Sequence, residues 1–313
     1  MPEIYIHERI ALCAARQLAP EQADLIAREQ AAYRMGASGP DIMFFHCVWQ
    51  GGNKYALPKL GSRMHTSRTN AFLYALLINA STPAQIAYAW GFLCHYAADS
   101  ILHAYVYAMS EPDGLFPQSA GHGLLEMAMD SWAYVIDHPD SKRIEPDFTL
   151  GPFQLNKKQE AEIASLLSIC VQQIYNLACP AKEYQRAFAH ARLVKRVLYR
   201  PGKARMGFFR WLEKLIGHPG LIEGHAYPAR LPECDFLNEG HNPWQAPDDD
   251  RIRTDSVPDL CARAECYAGE LLRLCQAGPP ERTHLFEALG QRSYVSDLPG
   301  SSEGEGPGVI SQR

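Results

Sequence analysis

The stretch Trp90–Met109, WGFLCHYAADSILHAYVYAM, constrains this chain most, because His95, Asp99 and His103 recur at intervals of four inside an otherwise apolar run. At 3.6 residues per turn the three project from one helical face. A helix that is apolar on its remaining sides belongs inside a bundle. Burying an imidazole or a carboxylate without a partner is costly, so three on one stripe demand a common solution. A bound metal is one such solution. Core histidines bonded to backbone carbonyls, with Asp99 fixing a tautomer, are the other.

The next segment, GHGLLEMAMDSW, repeats the spacing with His122 and Glu126. One His-x-x-x-Glu pair is a weak signal, but a second ladder this close to the first narrows the choice. Imidazole nitrogen and carboxylate oxygen suit zinc bound for hydrolysis, and a multinuclear site needs more donors than one helix offers. Further candidates lie upstream. His7 sits near the buried side of a helix expected over residues 5–18. Asp41 ends a Gly39-Pro40-Asp41 turn ahead of an apolar run, where it is equally an N-cap. His65 precedes Thr66 and Ser67, which can cap a helix running to Asn79. His46 has no partner at helical spacing and reads as structural or as a support behind the ligands.

The periodicity predicts an all-α fold. Helices are expected over 5–18, 20–35, 67–79, 86–108, 122–137, 156–178, 182–199, 205–216 and 256–277. Residues 50–63, QGGNKYALPKLGSR, read as a Gly/Pro loop, 137–153 as a linker and 218–252 as irregular. There is no strand pattern of any length, no phosphate-binding glycine loop and no Gly-x-Ser-x-Gly elbow. The expected organisation is one helical domain over 1–295 and a disordered tail over 296–313.

Composition narrows the functional classes. A net charge of -5 over 313 residues gives no electrostatic footprint for nucleic acid. Arg186, Arg192, Lys195, Arg196 and Arg200 form a local basic stretch, read as a solvated face or a contact for phosphate headgroups. Nine cysteines without a Cys-x-x-Cys agree with reduced thiols. The N-terminal MPEIYIHERIALCAARQL does not read as a secretory signal, so a cytoplasmic protein is expected. Ile86–Ala108 is long enough to cross a bilayer, but its His, Asp, His face argues against a transmembrane helix.

In chain order the candidates are His7, Asp41, His65, His95, Asp99, His103, His122 and Glu126. This order, with its two four-residue pairs, resembles the zinc-dependent phospholipase C family, α-helical trinuclear zinc enzymes related to the single-strand-specific zinc nucleases. The motif covers residues 1 to 137, and the DFLNEGHNPW region is more loosely similar to bacterial members. The resemblance implies that His65, His95 and Asp99 hold one zinc and that His103, His122 and Glu126 hold a second. Asp99 would bridge to a third zinc that His7 also binds, and Asp41 would be the general base beside the attacking water. Two departures stand out: the Asp99–His103 interval is shorter than in secreted bacterial enzymes, and those enzymes chelate the third zinc with a processed N-terminus. Removal of Met1 before Pro2 would leave a secondary amine here in its place. The implied activity is phospholipase C cleavage of a glycerophospholipid, with two or three Zn2+ ions and peripheral membrane contact. Phe44, Phe45, Trp49 and Tyr55 are placed near the mouth, as acyl contacts or as core. A phosphodiesterase or nuclease on soluble phosphoesters, and a non-catalytic metal-stabilised module binding lipid or protein, are the alternatives; Asp41 separates the last from the first two.

Overall fold

A computed structural model describes residues 4–47, 56–117, 120–146, 154–198, 207–209, 211, 215 and 226–303. In chain order the elements are α1 (Ile4–Ala15), α2 (Pro20–Arg28), α3 (Gln30–Gly36), a 3₁₀ helix (Gly39–Phe45), α4 (Leu57–Thr66), α5 (Thr69–Asn79), α6 (Pro83–Ser110) and α7 (Gly121–Asp137). They continue with α8 (Lys157–Tyr175), α9 (Ala181–Leu198), β1 (Trp244–Gln245), β2 (Ile252–Arg253), α10 (Val257–Leu274) and α11 (Arg282–Leu289). The all-α class holds: β1 and β2 form only a two-residue antiparallel pair, with Trp244 opposite Arg253.

The ladder helix α6 is the axis. Thr82 and Gln85 form a reciprocal capping box at its start, and Pro83 fits its first turn, where no backbone N–H is missed. Every residue from Tyr88 to Val106 is buried, because α1, α3, α5, α7, α8 and α10 pack around it. Gly36 of α3 and Gly91 of α6 let two of these helices meet backbone to backbone. A Cβ on either would collide with a main-chain oxygen of the other, Tyr88 or Tyr33.

Several boundaries differ from the sequence reading. The helix expected over 20–35 is two, broken at Glu29, whose φ of -110° and ψ of 33° leave the helical region. The break lets α3 turn to bring Gly36 against Gly91. Residues 57–63, the second half of the expected loop, form α4 together with 64–66: Pro58 is tolerated in a first turn, and Leu57, Leu60, Gly61, Met64 and His65 line its buried side. His65 therefore closes α4 rather than preceding α5. Residues 296–303, expected as the start of a disordered tail, are seated on the body. The Glu303 N–H donates to the Thr66 carbonyl at 2.9 Å and the Glu303 carbonyl accepts from the Arg68 N–H at 2.7 Å. Ser302 Oγ accepts from the Thr69 N–H at 3.2 Å, capping α5 from far along the chain. Residues 304–313, most of the helix expected over 205–216, Trp49, Tyr55 and the N-terminal amine lie outside the described residues.

Candidate metal centre

Each polar group of the ladder is brought to one place by a separate local device. The start of α1 is held by Asp130 of α7, whose carboxylate accepts from the N–H groups of Tyr5 (3.0 Å) and Ile6 (2.7 Å). That anchorage turns His7 inward, with Nε2 3.2 Å from Asp99 Oδ1 and its ring stacked on His95 at 4.5 Å. The 3₁₀ helix carries Asp41 against the same ring. Gly39 makes this possible: its φ is +51°, and a Cβ there would fall inside the His95 imidazole. α4 supplies His65.

Around Asp99 the donors converge. Asp41 Oδ1 is 2.9 Å from His65 Nε2, and Asp41 Oδ2 is 3.1 Å from His95 Nε2. Asp99 Oδ2 is 3.0 Å from His95 Nε2 and 3.8 Å from His65 Nε2. Donor atoms of Asp41, His65, His95 and Asp99 all lie within 4.8 Å of one another, as do those of His103, His122 and Glu126. In the latter group Glu126 Oε1 is 2.9 Å from His122 Nε2 and 3.4 Å from His103 Nε2. The two groups meet where His103 Nδ1 stands 3.7 Å from Asp99 Oδ2. A gap of about 10 Å³ lies between them, lined by His7, Asp99, His103 and Glu126, on the order of one water-sized sphere.

Two features suit these residues to metal ions. Nδ1 of His65, His95 and His103 lies 2.7, 3.1 and 2.7 Å from the backbone carbonyls of Gly61, Ala37 and Tyr294. Each ring donating there keeps its proton on Nδ1 and presents the Nε2 lone pair, the arrangement that orients metal-bound histidines. In addition, Asp41 Oδ2, His95 Nε2, Asp99 Oδ2 and Glu126 Oε2 are buried without a hydrogen bond of their own. Both readings of the ladder are thus partly realised, since the carbonyl bonds of core histidines are what aim the free nitrogens.

Without a cation the cluster balances its own charge. Burial favours neutral rings, but the carboxylates prevail: Asp99 raises His7, Asp41 raises His65, and Asp99 with Glu126 raises His103 to about 9. Burial opposes ionisation of Asp99 and Glu126 too, yet His103, His95 and His7 hold Asp99 well below the usual carboxylate range, and His122 and His103 do the same for Glu126. Imidazolium cannot ligate, so a cation binding here releases these protons.

All eight candidates therefore come together, on α1, the 3₁₀ helix, α4, α6 and α7. A cleft of about 280 Å³ opens onto them, lined by Asp41, Phe44, Ser62, His65, Thr66, His103, Tyr107, His122, Glu126 and Val295. Phe44 faces this cleft, whereas Phe45 is core, with the Lys195 ammonium over its ring at 5.5 Å. His46 is elsewhere, bonded to Glu183 at 3.1 Å. Two contributors escaped the sequence reading: Tyr107, packed against His103 and His122, and Tyr294, whose N–H also donates to the His65 carbonyl at 2.9 Å; Gly39 was legible as part of a turn but not as a neighbour of His95. Within the basic stretch near residue 190, Arg186 pairs with Glu183 and Arg192 with Glu160, while Arg200 lies outside the described residues.

The family model for zinc dependent phospholipase C matches residues 6–176, more than half of the chain and a span that contains the eight candidate residues, and the chain belongs to that family. Family and site together define a metal-dependent phosphoester hydrolase. No curated protein and no solved structure matches the chain.

Proposed function

We propose that the protein is a phospholipase C that hydrolyses the phosphodiester of a glycerophospholipid, releasing diacylglycerol and a phosphorylated headgroup. The observation that carries this reading is the position of Asp41. It does not cap a helix away from the ladder but lies between His65 and His95 at the cleft. Of the Asp99 group, only Asp41 and His65 line that opening.

In this reading His65, His95 and Asp99 hold one zinc, His103, His122 and Glu126 a second, and Asp99 with His7 a third. Zinc supplies a water acidic enough to be deprotonated near neutral pH, together with positive charge for the phosphoryl oxygens. The protein residues arrange the rest. Asp41 orients the attacking water and takes its proton. Attack at phosphorus opposite the glycerol oxygen breaks that P–O bond; the departing alkoxide takes a proton from water in the cleft, and Asp41 returns its proton to solvent. The Tyr107 phenol, pushed up to about 12 by burial with Glu126, Asp99 and Asp41 adding to it, stays protonated at the cleft wall. Phe44 offers an apolar surface beside His65, at 5.6 Å between rings, for the glycerol end of the substrate.

Asp41→Asn tests the assignment. As a proton acceptor its loss lowers kcat by about 10²–10⁴-fold with zinc content unchanged. Loss of zinc in the variant would make Asp41 a ligand, and full activity would remove it from the reaction. A headgroup screen with choline, ethanolamine and serine phospholipids, set beside soluble phosphodiesters, tests the substrate class.

A further inference from the structure

Among the exposed large apolar side chains of the described residues, Phe208, Trp211 and Leu215 fall close together in the sequence. These three are 54%, 57% and 69% exposed and helical. Their spacing of three and four places them on one face, and the Phe208 and Trp211 rings lie 5.9 Å apart. Phe209, a quarter-turn away, is half-buried. The sequence GFFRWLEKLI around these three also carries Arg210 and Lys214. Residues 200–214 hold five basic residues, Arg200, Lys203, Arg205, Arg210 and Lys214, against one acid, in a chain whose net charge is -5.

An aromatic and aliphatic face beside concentrated positive charge is what an interfacial helix needs, with rings at the acyl boundary and cations among headgroup phosphates. We propose that Phe208, Trp211 and Leu215 form the surface by which this protein docks on an anionic lipid bilayer. The inference rests on the phospholipid reading above, for which it supplies the route to a substrate held in a membrane. No helix among the described residues is long and apolar enough to cross a membrane, and the docking proposed is peripheral. Charge complementarity favours lipid over a second copy of this acidic chain, since the basic stretch gains headgroup phosphates there.

The test is co-sedimentation of the full chain with vesicles of phosphatidylcholine alone or mixed with phosphatidylserine, in an Asp41→Asn background so that lipid is not consumed. Replacing all three, Phe208→Ser, Trp211→Ser and Leu215→Ser, weakens vesicle binding on the order of a hundredfold. The pair Arg210→Gln and Lys214→Gln instead diminishes the preference for phosphatidylserine and the sensitivity to salt. In an otherwise wild-type chain, the triple variant leaves cleavage of a water-soluble short-chain phospholipid unchanged, which also shows that it folds. Triple-variant binding equal to the parent, or a parent that ignores vesicles, overturns the proposal. So does a parent dimer that the triple variant turns into a monomer without any vesicle binding, because the face would then be covered by a second copy. Vesicle binding that follows the triplet while no phospholipid is cleaved supports the docking surface and overturns the hydrolase reading instead.

Discussion

The donors around Asp99 come from α1, the 3₁₀ helix, α4 and α6 and reach the cleft only through Asp41 and His65; those around Glu126 come from α6 and α7, and His103, His122 and Glu126 all line it. His95 is fully buried, while the His122 side chain is 29% exposed. The difference assigns the groups different duties. Four chain segments meet at Asp99, so an ion there acts as a tertiary cross-link and its loss is felt by the whole fold. An ion between His103, His122 and Glu126 cross-links only neighbouring helices already packed together, and it can exchange through the cleft.

Gly39→Ala strikes the buried group hardest. The added methyl meets the His95 ring and stands at a positive φ, so a loss of about 1–3 kcal/mol is expected from the clash, with zinc lost from the Asp99 group as well. A denaturant midpoint and zinc content equal to wild type would mean that the tight turn does not set the site. His122→Ala probes the open group. It removes one zinc and most activity but changes unfolding free energy by less than about 1 kcal/mol, as for partly exposed positions generally. An equal collapse of stability in both variants would erase the distinction between the groups.

The smallest effect is on pH. In metal-free protein the raised pKa of His103, about 9 against the usual 6.5, means a stabilisation fully present below pH 6.5 and lost as pH rises through about 9. Zinc reverses the slope, because it needs neutral imidazole and binds more tightly as protons leave. Thermal midpoints across that window should fall with pH for the stripped protein and rise for the zinc-loaded one. Parallel curves would disconnect His103 from the metal.

What could be read from the sequence was whatever repeats at helical spacing. The ladders on α6 and α7 and the capped helices α6, α8 and α10 carry local periods or local caps, and the eight candidates converge as the motif order implied. What was missed arises across long separations. The Tyr294 carbonyl aims His103 from 191 residues away, and no local pattern marks a backbone oxygen as a partner. Ser302 caps α5 by the same kind of contact, which made residues 296–303 look like free tail. Gly39 was visible as part of a turn, but its closeness to His95 depends on α3 lying against α6. α4 was obscured because Pro58 and Gly61 resemble breakers, although Pro suits a first turn and a Cβ at Gly61 would crowd Met43 at 3.2 Å.

The most direct test is zinc content per chain, by plasma emission spectrometry on untagged protein, for wild type and Asp99→Ala. Two or three zincs in the wild type, falling sharply in the variant, are predicted, because Asp99 faces His7, His65, His95 and His103 at once. One zinc or none in the wild type would make the ladder a structural charge network and contradict the hydrolase reading.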